Sequence, residues 1–592
     1  MRLAGPAASL PALPARLPAM GPAGAAAASL RRQLAPSARN LTTAQLINQQ
    51  EALQASLTEE MAAAAAQWET GARQAFAARS AAMVNDVVSD CMYPVHSEMI
   101  ASSGHTVRRE SFEVAAALAR AQIERHQQVA LSLEPMRDPV PAVQQLESGR
   151  ILLLRPAPAV ENLVLSGGGA KGMANAPALR ALENLGLLTQ LKQVVGSSVG
   201  AMTAVLMASG MSAKRFQRLL NGSRMLSMLC TPEDFARLYP QVKFACPGFA
   251  GGALVQLLDR QTGESVARHL REHWVQLVRG PAWAQCTAQE QQRLGQLSAP
   301  DFSQPRSTQM VTFGDLHLLH RMAPQHFKEL VVTGWNREEQ RVGYFSHRTH
   351  PRMPVALAGR ISASVPVLFA DVILNGQHWT DGGVGSLIPA EAVLAGLRGQ
   401  ALAEAQARTL LMTFADHGRT DEVLHGSPKP HFLPAAWLLA ILSGNPQFAK
   451  HNGEDLLKVR AAGLMAMPVF HGDLAIGSFH ASPQRIGRAK REALEQALAH
   501  IALSRHNYRH DLVDDVQAVA ALLSPDEQAL FLARHAGDAT PLHAQLCAAI
   551  EAFQARPTPA QEAAQRAAAL DWARRDPVCR APDAPKPGTL RA

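Results

Sequence analysis

Cysteine is scarce in this chain: six thiols in 592 residues, at Cys91, Cys230, Cys246, Cys286, Cys547 and Cys579. None stands in a C-x-x-C pair, which removes zinc-ribbon and thioredoxin readings. Thiols so far apart do not make the disulfide framework of a small secreted domain. Long apolar runs are missing as well. The longest, such as Ala435 to Leu442, fall far short of the roughly 20 residues a membrane-spanning helix needs. Acidic residues are absent from the first 50 positions, which hold five arginines (Arg2, Arg16, Arg31, Arg32, Arg39) and six prolines. Prolines at 6, 11, 14, 18 and 22 exclude a long helix there. The stretch Ala25 to Leu30 is a poor match to the apolar core of a secretory signal, which runs to roughly 7–15 residues. Residues 1–42 therefore read as a disordered basic Pro/Ala-rich tail, with an uncleaved export address as the sharper alternative. The excess of 57 Lys+Arg over 49 Asp+Glu is mild and diffuse, so nucleic acid is not indicated as a partner.

What is present is globular in texture, with 47% hydrophobic residues. From Thr43 to about residue 140, apolar residues recur three and four apart among Ala, Leu, Glu and Gln, so a helical region is expected, interrupted at Pro94 and at Ser102–Gly104. It could bind a partner such as a secretion chaperone, or pack on its neighbour. After the linker prolines 135, 139 and 141 the texture changes to short apolar strands alternating with helices, which is the signature of an α/β layer with a parallel sheet. Strands are expected at Asn162–Leu165, before Gly196, at Leu330–Thr333, at Val367–Leu374 and at Leu410–Phe414, with a helix from Ala390 to Gln406. Residues 211–310 read as a mostly helical insertion, and residues 510–592 as a helical C-terminal region with a frayed end. Apolar segments at Pro434–Leu442, with Trp437, and at Val513–Leu523 are either core helices or membrane-interface contacts.

Two loops carry the chemistry. In Gly196-Ser197-Ser198-Val199-Gly200 a serine stands between a strand and a helix, and small residues two before and two after permit the sharp turn that exposes a nucleophile. The glycine spacing selects Ser198 over Ser197. About 30 residues upstream, Gly167-Gly168-Gly169-Ala170-Lys171-Gly172 follows a strand and offers backbone N–H groups to an oxyanion or a phosphate. A dinucleotide fold wants an acidic residue roughly 20 residues on, and a phosphate-binding P-loop wants Gly-Lys-Ser/Thr. No Asp or Glu lies between Glu183 and Glu233, and Lys171 precedes Gly172 and Met173, so both nucleotide readings fail.

The glycine loop followed by G-x-S-x-G resembles the patatin-like phospholipase family, and Trp379-Thr380-Asp381-Gly382-Gly383 resembles that family's third motif, an Asp-Gly-Gly turn after a strand. Ser362-x-x-x-Pro366-x-x-Phe369 is similar to a further family stretch, and the likeness spans roughly 155–505. It implies a three-layer α/β core with a parallel sheet, flanked by helical regions. It implies a Ser198–Asp381 dyad, with Gly167, Gly168, Gly169 and possible help from Gly172 as oxyanion donors, and hydrolysis of fatty-acyl esters of phospholipids or lysophospholipids. No metal or nucleotide cofactor is called for by such a dyad. The family pattern continues past Asp-Gly-Gly with an asparagine, whereas this chain reads Val384-Gly385-Ser386-Leu387-Ile388-Pro389.

The layout also resembles the ExoU-type, type III secreted effectors of bacteria. That likeness implies action in a host cell at a phospholipid membrane surface, with ubiquitin and acidic phosphoinositides as activating partners. Two rivals stand beside the dyad hydrolase. One is another serine esterase or thioesterase using a Ser-His-Asp triad, for which His378, His417 and His425 are candidates. The other is a lipid-binding module disabled by the altered loop after Asp381.

Overall fold

The structure, a computed structural model, describes residues 40–555 apart from 67–69, 103, 134–138, 157, 223–242, 246–250, 301–309, 367–368, 416–464, 476–477, 479–480, 504–507 and 539. The expected Trp437 segment and His417 and His425 lie outside the described residues. The chain forms two compact units that divide after Leu131.

The first unit is built from β1 (Asn40–Thr42), α1 (Thr43–Ala64), α2 (Thr70–Ala101), β2 (Thr106–Arg108) and α3 (Arg109–Leu133). Thr42 and Gln45 form a reciprocal capping box that satisfies the first N–H groups of α1. Leu46, Leu53, Leu57 and Met61 make its buried stripe, at helical spacing. The expected interruption at Pro94 does not occur, because α2 runs through it. Met92, Val95 and Met99 are buried on either side, so packing holds the helix across the missing N–H. The break comes instead at Ser102–Gly104, where His105 takes φ 49°.

The second unit centres on a nine-stranded sheet. Its parallel part has the order β13 (Met465–Phe470), β12 (Thr409–Ala415), β5 (Asn162–Leu165), β6 (Gln193–Gly196), β8 (Glu329–Asn336). From β8 the sheet continues antiparallel through β11 (Gln377–Asp381), β10 (Asp371–Leu374) and β7 (Lys243–Ala245), while β9 (Arg341–Phe345) also pairs with β8. The strands of the parallel part are apolar runs, as sheets covered on both faces require. Val164, Val195, Val331 and Leu411 come from four neighbouring strands and form one core with Ile388. On chain order, α4 (Asn175–Asn184) follows the glycine loop, α5 (Val199–Ala208) follows Ser198, and α6 (Gly252–Arg279) and α7 (Val355–Ser362) pack beside α5.

Three expectations are corrected. The 211–310 insertion contributes a strand, β7, to the main sheet. The helix expected over Ala390–Gln406 is two helices, Glu391–Leu394 and Gly399–Ala407, because Gly396 turns the chain at φ +78°. The C-terminal region opens with a strand, β14 (Tyr508–Val513), which joins β4 (Ile151–Pro156) and β3 (Ala142–Gln145) in a second sheet. Alternate residues of β4 are buried, and Ile151 and Leu153 pack against α8 (Val516–Leu522), α9 (Pro525–His535) and α10 (Pro541–Ala555). Val519 and Phe531 are thereby core residues. Among the described residues, no helix is long and apolar enough to cross a membrane.

Candidate active site

Register brings the three motifs together. Leu165 pairs with Gly196, so the loops that leave β5 and β6 emerge side by side. Gly196 pairs with Val332 of β8, and Asp381 at the end of β11 pairs with Gly334 of the same strand. The antiparallel return of β11 along β8 thus carries Asp381 back to the level of the serine turn.

That turn is strained. Ser198 sits at φ 53°, ψ −125°, a conformation that costs a non-glycine residue on the order of 1–3 kcal/mol. The flanking glycines are required by close approach. A Cβ on Gly196 would lie 2.4 Å from the Gly200 carbonyl oxygen, and one on Gly200 would lie 2.3 Å from the Leu165 carbonyl oxygen. The reward for the strain is geometric. Ser198 Oγ donates to Asp381 Oδ2 at 2.8 Å, and both residues are buried. The neighbouring serine does not share this contact, since Ser197 Oγ donates to the Ser386 carbonyl at 2.7 Å.

Asp381 is held on its other side by the Gly383 N–H, which donates to Oδ1 at 2.7 Å. Burial pushes its carboxyl up to about 7, against the opposing pull of the Ser198 and Gly383 hydrogen bonds and of the Arg360 charge. A carboxylate so tuned can accept a proton near neutral pH.

Arg360 is the residue that the sequence reading passed over. It is fully buried at the end of α7, in an otherwise apolar helix, and nothing local marks it. Its guanidinium bonds to Ser364 Oγ and to the Ala370 carbonyl at 3.1 Å, and lies 4.4 Å from the centre of the Phe369 ring. Burial lowers it to about 9, with Asp371 and Asp381 as opposing charges. The segment it begins ties Ser198 and Asp381 in place. Ser362 Oγ accepts from the Ser198 N–H at 2.9 Å. The Ser364 carbonyl accepts from the Asp381 N–H at 3.2 Å and from Thr380 Oγ1 at 2.9 Å.

The glycines divide by role. Gly167 does not keep its N–H for a ligand, since it donates to the Leu387 carbonyl at 3.0 Å. Gly168 and Gly169 open a short 3-10 helix, Gly169–Ala174, with Gly169 at φ +58°. Among the described residues, neither has an acceptor for its N–H. Gly172 lies within that helix, where a Cβ would fall 2.1 Å from Val199 Cγ2, so its absence of side chain lets the loop pack on α5. Lys171 is half-buried, with its N–H on the Gly168 carbonyl at 3.3 Å. The loop lacking the asparagine grips its neighbours through main-chain atoms, the Ser386 and Leu387 carbonyls just described. His378 stands apart, with its Nδ1 2.9 Å from Glu338 Oε1 and its side chain 40% exposed.

No curated protein matches the sequence. Among solved structures, VipD from Legionella pneumophila aligns at 16% identity over 73% of this chain and 86% of its own, with a TM-score of 0.43. The full-length ExoU in complex with SpcU, from the type III secretion system of Pseudomonas aeruginosa, aligns at 19% identity over 73% and 74%, with a TM-score of 0.41. A family model described as patatin-like phospholipase matches residues 163–394, which hold the glycine loop, the serine turn and the Asp-Gly-Gly turn together. Residues 163–394 are thus the part of the chain that matches the patatin-like phospholipase family, and that match supports a lipid hydrolase.

Proposed function

We propose that the chain hydrolyses fatty-acyl esters of phospholipids or lysophospholipids through a Ser198–Asp381 dyad. The observation that carries this reading is the buried 2.8 Å bond from Ser198 Oγ to Asp381 Oδ2 at a strained strand-to-helix turn. Asp381 takes the Ser198 proton as Oγ attacks the ester carbonyl carbon. The N–H groups of Gly168 and Gly169, which have no acceptor among the described residues, supply donors for the oxyanion, and loss of one such donor typically raises the barrier by about 3 kcal/mol. The protonated Asp381 then gives its proton to the departing lysolipid or glycerol oxygen, leaving an acyl-Ser198 ester. Water attacks that ester, Asp381 accepts its proton, and the fatty acid leaves as Ser198 Oγ is reprotonated.

The layout of an acid-free N-terminal tail, a helical region and a patatin-like core supports a further reading as a bacterial effector. In it, the chain is secreted into a host cell, works at a phospholipid membrane surface, and takes ubiquitin and acidic phosphoinositides as activators and a secretion chaperone as partner. The test is fatty-acid release from mixed phospholipid vesicles, with and without ubiquitin, by wild type, Ser198→Ala and Asp381→Asn. Release by wild type alone is expected. Release by Ser198→Ala or Asp381→Asn at the wild-type rate would sink the dyad, and release that ignores ubiquitin would sink the activator assignment.

A further inference from the structure

Away from the dyad, at the opposite end of the parallel strands, three imidazoles converge. His269 and His273 lie one turn apart on α6 and so share a face. His326 comes from the turn just before β8. One ring nitrogen of each lies within 4.8 Å of the others, and the His269 ring centre is 4.5 Å from that of His273 and 4.1 Å from that of His326.

Two other groups with paired histidines exist among the described residues, and both contain the acceptor that explains them. His317 and His347 bond to separate oxygens of Glu329 at 2.6 and 2.9 Å, and His535 and His543 bond to Asp538 Oδ2 at 3.1 and 2.8 Å. The His269 group has no carboxylate at its centre, and among the described residues no hydrogen bond joins its rings. What it has is the support that a metal site needs. Gln276 Oε1 accepts from His273 Nδ1 at 3.2 Å, which leaves Nε2 with its lone pair. Phe327 sets a ring edge-on to His269 at 4.9 Å as an apolar wall. The turn bearing His326 is braced: its N–H bonds to the Ala323 carbonyl at 3.0 Å, and Lys328 Nζ donates to the Pro324 and Gln325 carbonyls at 2.7 and 3.0 Å. His326 also lines a cavity of about 240 Å³, beside Met207, Met211 and Lys328.

We propose that His269, His273 and His326 bind a divalent zinc-type ion, with three imidazole ligands and the fourth position left to water. Three imidazoles suit Zn²⁺ among the available cations, and a three-ligand set is the open rather than the closed form of such a site. The ion ties the far half of α6 to the turn that leads into β8. It takes no part in the dyad's proton transfers, which occur at the other end of the strands.

The test uses the full chain, stripped with a chelator, dialysed, and titrated with Zn²⁺ against a chromophoric competitor, with Co²⁺ absorption as a second readout. Wild type is expected to bind one Zn²⁺ that is lost in His269→Ala and in His326→Ala, and to give tetrahedral Co²⁺ bands absent from both. His326 is exposed, so that variant keeps its fold, which circular dichroism verifies. Gln276→Leu is expected to weaken binding about 10- to 100-fold. His317→Ala and His535→Ala are expected to leave it unchanged. Wild type without Zn²⁺, Zn²⁺ retained by His326→Ala, or Zn²⁺ lost from His535→Ala instead would overturn the assignment.

Discussion

The core of the N-terminal helical unit and the neighbourhood of Ser198 are equally buried and differently made. In the first, Leu, Met, Val and Ala fill the interior, and the buried polar side chains among its described residues are Ser80 and His126. In the second, Ser197, Ser198, Arg360, Ser362, Ser364, Thr380 and Asp381 are all nearly or fully inaccessible. Apolar packing is non-directional, so a helix core tolerates exchange at constant volume. The polar site cannot, because its groups are satisfied by specific partners, and removing one leaves a buried donor or acceptor short of a bond.

The largest expected difference is in turnover. Ser198→Ala and Asp381→Asn should each lower kcat by about 10³-fold or more, by analogy with loss of a nucleophile or its base, while Leu57→Ala in the helical unit should leave it unchanged; fatty-acid release measures this. Next comes stability. Arg360→Met removes a buried cation facing Asp371 and Asp381 and should cost about 3–5 kcal/mol in denaturant melts, whereas Leu57→Ala should cost about 2–5 kcal/mol by leaving a cavity. The two are told apart by pH, since only the Arg360 substitution should raise the apparent pKa of kcat/KM, which in wild type should rise with pH to a plateau above about 7.

A smaller effect has the opposite sign. The folded-state carboxyl of Asp381 lies at about 7 against an ordinary 3.8, so folding holds that proton more tightly than the unfolded chain does. The stability it contributes is present below about 4 and is lost as pH rises through about 7. Asp381→Asn should therefore melt higher than wild type at pH 8, with the gap closing toward pH 4; an unchanged gap would show that the carboxyl is not held neutral by burial. Smallest is the turn itself. Ser198→Gly should be more stable than Ser198→Ala by about 1 kcal/mol, because glycine accepts positive φ without strain.

The meeting of Ser198 with Asp381 was legible because each motif is short and contiguous: three glycines, G-x-S-x-G and Asp-Gly-Gly are each a local demand of the backbone. Strand positions 162–165 and 330–333, the latter inside a strand that runs 329–336, were legible for a similar reason, as short apolar runs between turns. Arg360 was not, since its value depends on Asp381 and Asp371, which reach it only through strand pairing. The same holds for β14, a polar-looking strand whose partner β4 lies about 360 residues earlier by the Val513–Ile151 pairing. Gly167 looked like a donor because sequence marks where N–H groups are exposed by a turn, and says nothing of the Leu387 carbonyl that comes to meet one of them.

The loop after Asp381 has a consequence for how this site can drift over time. Since the Ser386 carbonyl holds Ser197 and the Leu387 carbonyl holds Gly167, the grip is exerted by atoms that every amino acid possesses. Inheritance then needs to preserve the path of the chain from Gly382 to Pro389, and the identity of the residue at 386 is released from selection for that contact. A search that demands an amide side chain in this loop would discard chains whose serine turn is anchored just as firmly.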